Sequence, residues 1–323
     1  MNGIRSFYKH GLKCLLMLYT DAYPTINGST GIRPSIDISN LNGKMINIVI
    51  VLVCLLGILG NGRVIWVLGF SIKRNSFTTY VMNLSIADFG VLTCLLGIAS
   101  IQFVLNSSSG ILAIFLYISI TTELLFLTFF SSQFLLTVIS IDRCVAVFFP
   151  IWHRCHRPPY LSTVVCAIVW VVSFLLSGIR FTLIYIFCSR HIIFVLEVIG
   201  LLCPPLMIIS TLTLFIKVCC KLKQYQQGKL VTTVLLTLLC FLMLIVPDII
   251  YKLDPNFHVA LLSWIAIACA SVNSSINPLI YFLVGRRQKK GRAKVSMKVA
   301  LERVFKDEQD VVEEETPMEE IHV

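Results

Sequence analysis

The sequence predicts an all-α membrane protein, a bundle of seven transmembrane helices followed by a short amphipathic eighth helix. Three observations predict this class. Of the 323 residues, 57% are hydrophobic and only 14% are charged; the mean hydropathy is +0.85; and long apolar runs alternate with short polar linkers. Soluble domains usually carry about 25% charged residues. The composition therefore excludes a soluble globular protein, a disordered chain and a nucleic-acid-binding domain as the main theme.

Seven apolar runs are long enough to span a membrane, because a bilayer core about 30 Å thick needs about 20 residues of helix. Helix is required, since an open strand would leave backbone polar groups unpaired in lipid. The third run is too long for a perpendicular span, so we expect it to tilt or to project beyond the membrane. The predicted spans are residues 46–70, 78–104, 111–148, 161–187, 192–218, 229–251 and 259–284.

The positions of Lys and Arg predict the orientation of the bundle, because cytoplasmic loops are enriched in both. Bases cluster after the first, third, fifth and seventh spans, whereas the opposite loops hold only Arg190 and Lys252. The basic loops are therefore expected in the cytoplasm, and residues 1–45 form an extracellular N-terminus, although the bases within that segment argue mildly the other way. We expect a multi-pass protein of the plasma membrane.

The segments outside the bundle carry further predictions. Residues 285–306 place apolar side chains at helical spacing among bases, which favours an amphipathic helix on the anionic cytoplasmic leaflet. Residues 307–323 form an acidic tail that we expect to be disordered. Its ending, Ile321-His322-Val323, has a pattern that can add as a strand to a PDZ groove, although most such endings bind nothing. Asn27 and Asn106 begin sequons on the predicted outer side and are candidate glycosylation sites.

One carboxylate lies near the membrane midplane, where a charge costs about 2.5–3.5 kcal/mol on insertion scales. Asp88 is about ten residues, or about 15 Å, into the second span. The polar residues at a similar depth on other spans are Asn61, Ser132, Asn273, Ser274 and Asn277. A carboxylate among hydroxyl and amide oxygens suits a hard cation such as Na⁺ or a shared proton. The alternative is a hydrogen-bonded network without an ion.

Four ionisable residues are predicted near the outer ends of the spans. Glu123 lies twenty residues before Arg143 and hence about 30 Å above it. Arg180, Glu197 and Asp248 fall in the outer parts of the fourth, fifth and sixth spans. Four such groups at one level are either the mouth of a ligand site or internal ion pairs between Arg180 and an acid, and the sequence leaves both open.

The chain lacks the patterns of catalysis and metal binding. Neither HExxH nor GxSxG occurs, there is no phosphate-binding glycine loop, and the histidines do not cluster with cysteines in an open-site geometry. We therefore expect no enzyme and no metal site. A transporter or channel is disfavoured, because no internal repeat occurs and the polar residues fall into an outer group and a midplane cluster. At the cytoplasmic end of the third span, Asp142-Arg143 is either an interfacial ion pair or a latch that opens for a partner.

Six motifs in register over residues 45–306 resemble those of rhodopsin-like G-protein-coupled receptors. They are Gly60-Asn61, Asn83-Leu84-Ser85-Ile86-Ala87-Asp88, Asp142-Arg143-Cys144, Trp170, the prolines of the fifth and sixth spans, and Asn277-Pro278-Leu279-Ile280-Tyr281. The second cytoplasmic loop, from Phe149 to Pro158, is similar to that of Mas-related receptors in particular.

The resemblance implies a receptor that binds an extracellular peptide or small molecule and activates a heterotrimeric G protein. The alternative is a receptor-fold protein that reaches the surface but signals weakly or only modulates another receptor. The residues at the superfamily's allosteric sodium site are Asp88, Ser132, Asn273 and Ser274. The residues of G-protein coupling and of the activation switch are Asp142, Arg143, Asn277, Pro278 and Tyr281. No other cofactor is implied, and the expected partners are the ligand, the G protein and membrane lipid.

Several positions depart from the general receptor pattern, and of these the missing bracing tyrosine and Arg63 motivate the alternative. No cysteine lies between Cys94 and Cys144, so the usual disulfide at the top of the third helix cannot form. Thr213 stands where many receptors place a tyrosine that braces the active state. Arg63 puts a cation where apolar residues are the norm. Arg180 stands where several Mas-related receptors carry a glutamate, and its charge should repel cationic ligands. The acids of the mouth act in the opposite sense, which leaves the charge of the ligand open.

Overall fold

The computed structural model describes five stretches of the chain, residues 38–72, 75–104, 111–158, 160–185 and 259–286, together with residues 205–206, 209–210, 213 and 298–299. Every regular element within them is an α-helix. Most of the fifth span, the whole sixth span, most of the predicted eighth helix, the acidic tail and both sequons lie outside the described residues, as do Glu197 and Asp248.

Six helices are described. They are α1 (Ile38–Phe70), α2 (Ser76–Val104), α3 (Ile111–Phe148), α4 (Pro150–Cys155), α5 (Leu161–Tyr185) and α6 (Val259–Arg286). Helices α1, α2, α3 and α5 contain segments long and apolar enough to cross a membrane, namely Met45–Phe70, Ser76–Ser100, Leu116–Ala146 and Leu161–Leu183, and α6 contains a shorter one, Ile267–Leu283. These five helices match the first, second, third, fourth and seventh predicted spans. The short α4, within the second cytoplasmic loop, was not predicted as an element.

Helix α2 lies at the centre of the described bundle and contacts α1, α3, α5 and α6. Its buried residues include Leu84, Ala87 and Leu92, which pack against apolar side chains of the neighbouring helices. Lipid is as apolar as these side chains, so the hydrophobic effect does not drive such helices together. Close packing and hydrogen bonds between helices must hold the bundle, and Asn83 and Asp88 of α2 take part in three of those hydrogen bonds.

Helix α1 carries an apolar stripe on the side opposite its neighbours, which we call the outer stripe. Its members are three, four or seven residues apart: Leu52 (56% exposed), Leu56 (71%), Leu59 (69%), Trp66 (65%) and Phe70 (78%). Side chains at this spacing lie on one face of a helix. Exposed apolar residues on a membrane-spanning helix face the lipid, so the outer stripe marks the lipid-facing side of α1.

Two glycines let α1 approach α6 closely. A Cβ at Gly57 would overlap the Ser275 hydroxyl and come within 2.7 Å of a Leu92 methyl carbon. At Gly60, it would lie 3.1 Å from the Cβ of Pro278. Small residues at such contacts are typical of helix packing in membranes. Here they bring this part of α1 against α6, together with Asn61, which follows Gly60 directly.

Candidate functional site

Asp88 lies at the midpoint of the Ser76–Ser100 span, and its side chain is fully buried. The Ser132 hydroxyl donates to one carboxylate oxygen over 2.7 Å, and the Asn277 amide donates to the other over 2.7 Å. The Ser274 hydroxyl also hydrogen bonds to the carboxylate. Asn273, the residue before Ser274 in α6, is also buried. The described hydrogen bonds to Asp88 come from Ser132, Ser274 and Asn277 and not from Asn273. One carboxylate thus links α2, α3 and α6.

Asn61 supplies a hydrogen-bond donor that α6 lacks. Pro278 lies inside this helix and has no N–H, so the carbonyl of Ser274, four residues earlier, loses its helical donor. The Asn61 amide donates to that carbonyl over 2.9 Å and to the Gly57 carbonyl of its own helix over 3.0 Å. A carbonyl oxygen can only accept a hydrogen bond, so the NH2 group of Asn61 must face both carbonyls, and its side-chain oxygen takes part in neither contact.

The cluster around Asp88 has the chemistry of a site for a small hard cation. The side-chain oxygens of Asn61 and Asn277 are buried and have no hydrogen-bond donor. Within the described part of the chain, no cationic side chain pairs with Asp88. Buried charges normally pair or coordinate a metal ion, and oxygen ligands suit hard cations. The described residues contain no group of three or more His, Cys, Asp or Glu side chains that could hold a metal ion.

At the cytoplasmic end of α3, Asp142 binds two arginines. Arg143, its neighbour in the sequence, donates over 2.8 Å and lies with its guanidinium carbon 4.3 Å from the centre of the Phe77 ring. Arg157, from the second cytoplasmic loop, approaches the other carboxylate oxygen to 2.7 Å. Only 5% of the Arg143 side chain is exposed. The arginine predicted to meet a G protein is therefore buried and bound in this conformation.

Arg157 also fastens the loop to the bundle in two further ways. It donates to the Ser162 hydroxyl over 3.0 Å, and its other terminal nitrogen lies 2.6 Å from Nε2 of His153. The same histidine nitrogen lies 3.7 Å from Asp142. Contacts for Arg157 and His153 were not predicted from the sequence; the usable signal was that Asp142 is the single acid between Glu123 and Glu197 in the sequence.

Near the outer end, Glu123 of α3 and Arg180 of α5 form an ion pair with an N–O distance of 2.5 Å. The Ser177 hydroxyl donates to the Glu123 backbone carbonyl over 3.1 Å, and the Arg180 guanidinium lies 3.5 Å from the centre of the Phe126 ring. Only 10% of the arginine side chain and 15% of the glutamate side chain are exposed. Two of the four predicted mouth residues therefore neutralise each other, which weakens the repulsion of cationic ligands expected from Arg180 alone.

Two motif residues connect α2 and α5 in the middle of the bundle. The Trp170 indole donates to the side-chain oxygen of Asn83 over 3.1 Å. Asn83 in turn donates to the backbone carbonyl of Thr79 in its own helix. Trp170 is partly buried, and the indole N–H of such a residue usually finds an acceptor of this kind. This contact fixes the rotation of α5 relative to α2.

Comparison with known proteins identifies the fold and its family. The sequence model of the family described as "7 transmembrane receptor (rhodopsin family)" matches residues 60–281. The chain belongs to this family. Among its relatives is the protein named Proto-oncogene Mas of Homo sapiens, 36% identical over 301 residues, which cover 87% of this chain and 90% of the relative.

Two further relatives place the chain among the Mas-related receptors. Mas-related G-protein coupled receptor member H of Mus musculus is 36% identical over 83% of this chain and 85% of its own length. Member D of Homo sapiens is 33% identical over 82% and 86% respectively. The resemblance stated from the motifs is confirmed, as is the seven-helix receptor fold. The chain is a multi-pass membrane receptor of a non-enzymatic class.

Proposed function

We propose that this Mas-related receptor lies in the plasma membrane with its N-terminus outside, binds an extracellular peptide or small molecule among the outer helix ends, and activates a heterotrimeric G protein. One observation carries the proposal. The single helix α3 bears the outer ion pair through Glu123, the midplane network through Ser132 and the cytoplasmic pair through Arg143. Over twenty residues, or about 30 Å, one rigid element contacts all three levels of the bundle.

The cytoplasmic contacts describe a resting state. Arg143 must leave both Asp142 and the Phe77 ring before it can contact a partner. A ligand shifts this equilibrium only if it binds the open state more tightly than the closed one. The network around Asp88 lies between the two ends and joins α3 to α6, so movement of either helix has to rearrange it. Tyr281, buried one turn after Asn277, belongs to the same region of α6.

The test is G-protein dissociation in cells that express the receptor, challenged with matched panels of basic, neutral and acidic peptides. Arg143→Ala serves as the uncoupled control, with surface expression measured for both chains. We expect a peptide response from the wild-type receptor that the control lacks. If no panel produces a response although the receptor reaches the surface, a peptide ligand of these classes is refuted, and the same assay with amines and amino acids decides between a small-molecule ligand and a silent or modulatory receptor.

We also propose that the oxygens around Asp88 hold a sodium ion. The carboxylate, the Ser132 hydroxyl and the unpaired amide oxygen of Asn277 are its candidate ligands. A bound cation would neutralise the buried charge and stabilise the resting arrangement. At three times the dissociation constant, such an ion would add about 0.8 kcal/mol of stability.

The sodium proposal is tested by thermal unfolding of the purified receptor in sodium chloride and in choline chloride at equal ionic strength. We expect a higher Tm in sodium for the wild-type protein. Asp88→Asn, which keeps the shape but removes the charge, should abolish the difference. Equal Tm values for the wild-type receptor in both salts would favour a hydrogen-bonded network without an ion.

A further inference from the structure

Arg63 lies on the outer stripe of α1. It is an exposed residue four positions after Leu59 and three before Trp66, both of which are exposed members of the stripe. Its sequence neighbours Asn61 and Val64 are fully buried on the opposite face. The guanidinium therefore belongs to the lipid-facing side of the helix. No described residue pairs with it or accepts its hydrogen bonds.

The depth of Arg63 makes this placement costly. The apolar span Met45–Phe70 has its midpoint between Gly57 and Ile58, and Arg63 is about 8 Å from that midpoint at about 1.5 Å per residue. The half-thickness of the hydrocarbon core is about 15 Å, so the Cα lies about 7 Å inside its boundary. A charge at this depth needs a polar partner or a route to the interface.

The side chain cannot easily reach the interface alone. An extended arginine spans about 7 Å, enough to meet the boundary if it points straight towards it. Side chains of a helix lean towards its N-terminus, however, which for Arg63 is away from the nearer leaflet. A polar group from that leaflet must move inwards to meet the guanidinium. A phosphate fits best, because it accepts two parallel hydrogen bonds from arginine.

Neighbouring residues favour an anionic lipid. Trp66 and Phe70 lie between Arg63 and the nearer leaflet, with ring centres 4.8 Å apart, and aromatic side chains are enriched at the headgroup level. In the sequence, two residues separate the end of the helix from Lys73 and Arg74, and basic residues next to a span attract anionic lipids of the cytoplasmic leaflet.

We propose that Arg63 binds the phosphate of an anionic glycerophospholipid of the cytoplasmic leaflet, drawn inwards beside Trp66. The proposal rests on the orientation proposed above for α1. It adds a lipid site on the outside of the bundle, separate from the ligand and G-protein regions. The bound headgroup would restrain α1. Because Asn61 of α1 donates to the Ser274 carbonyl that lacks its helical donor at Pro278, lipid composition would also affect the packing of α1 against α6.

The experiment measures lipid retention by the full-length receptor, purified from nanodiscs of phosphatidylcholine with a minor fraction of phosphatidylserine, by native mass spectrometry. The variants are Arg63→Leu, which completes the apolar stripe, and Arg63→Lys, which keeps the charge but not the paired donors. Arg74→Gln is the matched control, since it removes one charge just beyond the span. We expect Arg63→Leu to lower phosphatidylserine retention about fivefold, the equivalent of about 1 kcal/mol per base, and Arg63→Lys to lower it less.

The salt dependence of lipid retention distinguishes a specific site at Arg63 from non-specific electrostatic attraction at the membrane surface. At about 1 M salt the Debye length falls to about 3 Å, which screens exposed charges but not charges inside the membrane. The loss caused by Arg63→Leu should persist at that salt, whereas the loss caused by Arg74→Gln should vanish. Equal screening of both losses overturns the proposal, as does cross-linking that shows a second receptor copy over Arg63.

Two controls accompany the experiment. An N-terminal epitope that is accessible on intact cells checks the orientation of α1 separately. The Arg63→Leu variant should still fold, with an unchanged or higher Tm in phosphatidylcholine.

Discussion

Removing both members of the Glu123–Arg180 pair should destabilise the receptor by less than the sum of the two single losses. The two side chains are 85–90% buried and 2.5 Å apart. Breaking a buried pair leaves an uncompensated charge, at a cost of about 3–5 kcal/mol. Since both side chains keep some exposure, we expect the lower end, about 3 kcal/mol, for Glu123→Gln. Arg180→Met should cost about 1 kcal/mol more, because it also loses the contact with the Phe126 ring.

The double variant carries neither charge, so its loss should fall short of the sum of the single losses by about 2–3 kcal/mol. Thermal unfolding can follow this cycle through a thiol-reactive dye, because Cys54 and Cys166 are buried and free and react when the bundle opens. A loss of 3 kcal/mol corresponds to a fall in Tm of about 6–12 °C for a domain of about 150–250 residues.

Additive losses of Tm in the double variant would refute this reasoning, because they would mean that the two charges do not interact in the folded receptor. The swapped variant, Glu123→Arg with Arg180→Glu, is the control for the charge itself and should recover much of the loss. Arg180→Glu alone places two carboxylates together and should be the least stable variant. Ligand selectivity is therefore better tested in the swapped receptor than with that single substitution.

Three other predictions concern single contacts. Gly57→Ala should cost about 1–3 kcal/mol through overlap at the α1–α6 contact, and adding Ser275→Ala should recover part of the lost Tm. Arg157→Gln should release the second cytoplasmic loop from Asp142, seen as faster hydrogen exchange in residues 150–158; unchanged exchange would count against the fastening role. Trp170→Phe should lower stability by about 1 kcal/mol, because it removes a hydrogen bond to the partly buried side-chain oxygen of Asn83, and a Tm equal to that of the wild type would argue against the bond.

The positions of the helices along the chain were predictable because insertion in lipid depends on the length of an apolar run. Helix α1 shows what such runs do not reveal. It is apolar on nearly every side, so hydrophobicity does not distinguish Leu59, which faces lipid, from Val64, which is buried. Only its small and polar residues, Gly57 and Asn61, mark the face that meets other helices.

Depth was easier to predict than pairing. Counting residues placed Glu123 and Arg180 at one level, but the level does not give the rotation of each helix, so a ligand mouth and an ion pair both stayed open. At Asp88 the polar partners were predicted because few oxygens occur at that depth. The contact between Asp142 and Arg157 was not predicted, because the short helix α4 folds the loop back under α3, and a count of loop charges carries no information about that path.

The amide of Asn61 also sets how α6 can move. A proline usually makes a helix easy to bend, because one turn is held by fewer hydrogen bonds. Here the bond missing at Pro278 is supplied by another helix. Bending that withdraws the Ser274 carbonyl must first detach it from α1, and inside a membrane no water replaces the lost donor. Bending of α6 at Pro278 therefore requires either that α1 moves with it or that the Asn61–Ser274 hydrogen bond breaks. Any contact that restrains α1 then also restrains the bending of α6.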